Sequence, residues 1–131
     1  MLALGAAAPA RAQKASVIGD VRRVKDPSSL TGLEKKHAPV IRVPDNIRPN
    51  VPFEVRVEVG QEIHPMSSSH YIDFIELYLG TEPAGRLELE AAFNEPVATF
   101  ALRLEKPATL SVRQYCNLHG LWESTVELTP S

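Results

Sequence analysis

The chain has 131 residues and is 44% hydrophobic, which suits one domain with a true core, and no internal repeat or low-complexity tract competes with that view. Its formal net charge is only -2 and it has no basic tract interleaved with aromatics, which excludes a nucleic-acid partner. One cysteine excludes an internal disulfide, and no apolar stretch is long enough for a membrane span.

In chain order, residues 2–10 are small or apolar, and Ala10-Arg11-Ala12 before Gln13 resembles an Ala-x-Ala processing site. Residues 1–12 therefore read as the remnant of a signal peptide, and a periplasmic or otherwise exported location is expected. If they are not such a remnant, the location is cytoplasmic. Residues 13–32, with Arg22-Arg23, Lys25 and Ser28-Ser29, read as an extended arm that packs on the domain or on a neighbouring subunit, so a homo-oligomer is one expectation. The domain itself spans residues 33–131. Strand-like runs follow at residues 40–43, 53–59, 71–79, 86–90, 98–104, 109–115 and 122–128. Alternation is clearest at Phe53, Val55, Val57 and Val59, whose neighbours Glu54, Arg56 and Glu58 face the other way. Turn residues separate the runs at Pro49-Asn50, Gly60, Gly80, Asn94-Glu95-Pro96 and Lys106-Pro107. The expected fold is all-β, an immunoglobulin-like antiparallel β-sandwich of about seven strands with loops gathered at its edges.

All four histidines and the only cysteine fall at interpretable spacings: His37, His64, His70, Cys116 and His119. Cys116-Asn117-Leu118-His119 lets a thiolate and an imidazole turn toward one ion. His64 and His70 bracket a short polar loop that can fold both rings inward, and His37 arrives from far upstream. A lone histidine is most often a surface or satisfied core residue, and a lone cysteine a small buried hydrophobe. Taken jointly, no histidine is left over as background, and a metal site is the reading that uses them all. Five ligands exceed the closed tetrahedral set of structural zinc, and a blue-copper centre takes only two histidines beside its cysteine. Iron(II) accepts mixed imidazole and thiolate ligation and prefers six positions, so this set leaves one position for a small molecule. A nucleophilic-cysteine enzyme fits less well, because the surrounding imidazoles would bind metal first.

Three blocks carry a family resemblance: Glu34-Lys35-Lys36-His37-Ala38-Pro39-Val40-Ile41, then His64-Pro65 with His70-Tyr71-Ile72, then Tyr115-Cys116-Asn117-Leu118-His119-Gly120-Leu121-Trp122-Glu123. Over residues 33–127 the chain resembles the superoxide reductases of the neelaredoxin or class II desulfoferrodoxin-like family. The resemblance implies a mononuclear non-haem iron, Fe2+/Fe3+, with His37, His64, His70 and His119 equatorial and Cys116 axial. It implies one-electron reduction of superoxide to hydrogen peroxide, with the electron drawn from a donor protein that the sequence does not identify. Lys36 matches the family's lysine beside the open position, a local cation that a chain of net charge -2 needs in order to attract an anion. Many members carry Glu-Lys-His, whereas this chain has Glu34-Lys35-Lys36-His37. Glu34, the candidate sixth-position ligand, is thus displaced by one residue, and water, hydroxide or an empty position is expected in its place. With one cysteine the chain lacks the ligands for the four-cysteine iron domain of longer desulfoferrodoxins. Trp122 reads as core filler or as a shield for the site. The alternative function is a non-catalytic metal-binding or interaction module of immunoglobulin-like fold, serving an electron-transfer or sulfur-metabolism complex.

Overall fold

The computed structural model describes residues 20–131. The expected signal remnant and the first part of the arm, through residue 19, lie outside the described residues. The chain runs β1 (Val21–Arg22), α1 (Gly32–His37), β2 (Pro39–Arg42), β3 (Phe53–Val59), β4 (Ile72–Leu79), β5 (Glu82–Glu88), β6 (Val97–Leu102), β7 (Ala108–Cys116) and β8 (Gly120–Leu128). All seven expected strand runs are strands, with shifted ends. Two elements were not anticipated: the two-residue β1 and the helix α1.

The strands form two sheets, β1-β8-β7-β4-β5 and β2-β3-β6. Every pairing is antiparallel except β1 on β8, which is parallel. The alternation in β3 does what a two-residue period requires: Phe53, Val55, Val57 and Val59 are buried while Glu54 and Arg56 are exposed. Facing them from the other sheet are Ile72, Ile75, Leu77, Leu110 and Val112, each 0% exposed. Cys116 belongs to this same core cluster, so the thiol sits at the end of the sandwich interior rather than on its surface.

Helix α1 forms because its ends are satisfied. Thr31 is the N-cap, its side chain accepting the Glu34 N–H while the Glu34 carboxylate accepts the Thr31 N–H, a reciprocal capping box. The helix stops at Ala38, which precedes Pro39, where an α conformation is disfavoured. Gly32 opens the helix, so the boundary drawn before Leu33 falls in its first turn. Gly60 then holds the helix to the sandwich. It has φ +83°, and a Cβ there would lie 2.5 Å from Lys35 O and from the Lys36 carbonyl, so the backbones touch where any larger residue would push them apart. A bond from Glu62 N–H to Lys35 O at 3.0 Å reinforces the contact.

A candidate metal centre at the end of the sandwich

Four segments deliver the ligand side chains. His37 is the last residue of α1, His64 lies in the loop after β3, and His70 lies two residues before β4. Cys116 ends β7, and His119 stands in the tight turn to β8. Cys116 pairs with Gly120, whose φ of +85° closes a three-residue loop and throws the Cys116 thiol and the His119 ring toward the same point. Asn117 in that loop accepts the Tyr71 N–H at 2.8 Å and donates to Ser69 O at 3.0 Å, fastening the His70 loop to the Cys116 turn.

Ligand atoms of His37, His70, Cys116 and His119 all lie within 4.8 Å of one another. His64 joins them, with its Nε2 3.2 Å from His37 Nε2 and 3.5 Å from Cys116 Sγ. Cys116 Sγ is 3.7 Å from His119 Nδ1. The tautomers are set by carbonyl acceptors: His37 Nδ1–H donates to Leu33 O at 2.8 Å and His64 Nδ1–H to Pro65 O at 2.7 Å. With both Nδ1 atoms protonated, the two Nε2 lone pairs face each other at 3.2 Å with no proton between them. Such a pair is repulsive unless a cation stands beside it. The Nε2 of His70 is likewise buried without a hydrogen-bond partner. These orphaned, converging nitrogens and the buried thiol are what a metal ion requires of its site, and carbonyl-held imidazoles are the usual outer support of metal-binding histidines.

Burial favours the neutral form of three of the rings. His64 is pushed down to about 4, chiefly by burial, while His37 and His70 are lowered from the ordinary histidine value for the same first reason. Neutral imidazole is the form that binds metal, so the pocket presents ligands ready at neutral pH. The Lys36 ammonium, exposed and one residue before His37, also opposes protonation of His70. His37, His64 and Cys116 are buried, whereas His70 and His119 are partly exposed. The centre therefore has a sealed floor and an open rim.

Glu34 is not part of this cluster. Its carboxylate accepts the Thr31 N–H at 2.9 Å and the Lys25 N–H at 3.2 Å, bonds that hold its pKa below the usual carboxylate value. Three supporting residues were not recognised from the sequence as parts of the site. Gln114, 0% exposed, donates from Nε2 to His37 O at 2.9 Å. Asn117 and Gly60 set loop positions as described. Trp122 is core, as one sequence reading held, but its ring also stacks on His37 with centroids 5.2 Å apart and its Nε1–H donates to His119 O at 3.2 Å.

The desulfoferrodoxin family model matches residues 29–125, a span that contains all five side chains. The chain belongs to the desulfoferrodoxin family. Among its family relatives, the superoxide reductase of Pyrococcus furiosus is 37% identical, covering 72% of this chain and 89% of that protein. The neelaredoxin of Megalodesulfovibrio gigas is 31% identical, covering 70% of this chain and 85% of that one. Among solved structures of desulfoferrodoxin relatives, the superoxide reductase (neelaredoxin) of Ignicoccus hospitalis is similar with a TM-score of 0.74 and 35% identity, over 85% of this chain and 95% of that chain.

Proposed function

We propose that the protein is a superoxide reductase whose centre is a mononuclear iron held by His37, His64, His70, His119 and Cys116. The observation that carries the reading is the clustering of one buried thiol with three imidazoles within 4.8 Å, joined by His64 against His37 and Cys116, a donor set with one position to spare on a six-coordinate ion. When bound, ferrous iron with a thiolate ligand supplies the electron for reduction and a binding position whose electron density the sulfur raises. The reaction consumes superoxide, one electron and two protons and releases hydrogen peroxide. The chain's own residues do the rest. The carbonyls of Leu33 and Pro65 orient two rings, and Gln114 holds the backbone of His37. Lys36, exposed and adjacent in the chain to His37, draws the anionic substrate to the rim, focusing that can raise an on-rate by roughly 10- to 10³-fold. A separate donor protein returns the electron.

Metal analysis with an optical spectrum tests this. About one iron per chain, a visible thiolate-to-iron band in the oxidised protein and iron-dependent consumption of superoxide are expected. Stoichiometric zinc from iron-replete cells, with no iron-dependent activity, overturns the reading in favour of a non-catalytic metal-binding module.

Finer features are part of the same proposal. Strand order β2-β3-β6 against β8-β7-β4-β5 supports an immunoglobulin-like description of the sandwich, with β1 added at one edge. The Ala-x-Ala pattern supports export, for which mature protein beginning at Gln13 outside the cytoplasm is the test. The arm remains our candidate element for a homo-oligomer, for which sedimentation faster than a monomer is the test.

A further inference from the structure

We propose that Arg22, on the arm strand β1, is a positioning residue of the metal centre whose charge, delivered across Trp122 to His37, raises the reduction potential of the bound metal. The inference rests on the iron reading above. Parallel pairing sets Arg22 opposite Trp122 and Val21 opposite Leu121. The next residue locks this register: Arg23 Nη2 lies 2.8 Å from Glu123 Oε1, and Glu123 is held again by Arg113 at 2.8 Å. The Arg22 guanidinium carbon then sits 5.7 Å from the Trp122 ring centroid, inside the range of a cation–π contact. The same ring stacks on His37, with centroids 5.2 Å apart and an interplanar angle of 21°. Guanidinium, indole and imidazole thus form one column of contacts that shares the Trp122 ring.

The neighbouring charges leave Arg22 as the cation of this column. A cavity of about 430 Å³ separates it from α1 and is lined also by Lys25, Glu34 and Trp122. Within it, Glu34 lies near Lys25, so these two charges offset each other, while Arg23 is paired with Glu123. Among the described residues Arg22 has no carboxylate partner. Trp122 and His37 are 3% and 1% exposed, so little water lies between indole and imidazole, while solvent screens the charge only at the Arg22 end. A fixed positive charge favours the less positive oxidation state of a metal. Because Arg22 is exposed, its replacement leaves the core intact.

The test is a redox titration of full-length, iron-loaded protein followed at the thiolate-to-iron band, comparing wild type with Arg22→Gln and Arg22→Lys. Arg22→Gln should keep its iron and its band but take a lower potential, so that at a fixed donor potential its reduced-to-oxidised ratio falls by about threefold or more. Arg22→Lys, which keeps the charge, should stay close to wild type, and the gap to Arg22→Gln should narrow at high salt. An unchanged potential in Arg22→Gln overturns the proposal. So does an equal shift in both variants, which would assign the effect to packing, or loss of iron from Arg22→Gln, which would make the residue a structural clamp. Absence of the band from wild-type protein would instead strike the iron reading itself.

Discussion

Cys116 carries the chemical distinction of the site, since four imidazoles alone would describe a different metal centre. Cys116→Ser should abolish the visible band and most superoxide turnover while the far-ultraviolet spectrum stays that of the folded sandwich, because no disulfide is lost. Lys36→Ala should slow the second-order reaction with superoxide by about tenfold or more at low salt, and stopped-flow rates should converge with wild type as salt rises. Glu34→Ala should leave the ferric spectrum and its pH dependence nearly unchanged. It should lower stability by on the order of 1 kcal/mol in a denaturant titration, because two N–H groups lose their acceptor and the capping box opens. The clustering of the five side chains was legible in the sequence because histidine and cysteine are scarce there and every copy was used. The place of Glu34 was only half legible: the extra residue before His37 argued against a sixth-position ligand, but not for what the carboxylate does instead. The signal that decides it, Thr31-x-x-Glu34 opening a helix, was present but unread.

Among the elements, α1 has only six residues, too few to be stable on its own, so its position depends on what it packs against. That dependence falls on Gly60. Gly60→Ala should force α1 away from the end of β3 and carry His37 with it, lowering iron content per chain. Thermal unfolding should also show a loss of more than about 1 kcal/mol, given the positive φ and the 2.5 Å approach. The seven main strands were readable because alternation and turn residues are local signals. The helix and the two-residue β1 were not, since neither spans enough residues to show a period. Gln114 and Gly60 were silent for another reason: their roles exist only where distant segments meet, at the His37 carbonyl and the α1 backbone.

For the molecule as a whole, the buried histidines tie stability to acidity. His64 falls from 6.5 to about 4 in the fold, and His37 and His70 fall in the same direction. The unfolded chain therefore takes up protons first as pH drops. Metal-free protein should hold this stability above about pH 6.5 and lose it progressively toward pH 4, seen as a declining denaturant midpoint. The two-sheet architecture was legible from strand count and spacing, whereas the parallel attachment of β1 needed the three-dimensional register. One feature of the centre also bears on the chain as a polymer. His37 and His119 stand roughly 80 residues apart, and their nitrogens would meet on one ion, so coordination closes nearly the whole domain into a ring. A covalent cross-link over a loop of that length restricts the unfolded ensemble by roughly 4–5 kcal/mol in the chain-entropy model. In a protein whose lone cysteine forms no disulfide, the metal is the knot that a disulfide would otherwise tie, and a chelator acts on the chain as a reductant acts on a stapled secreted domain.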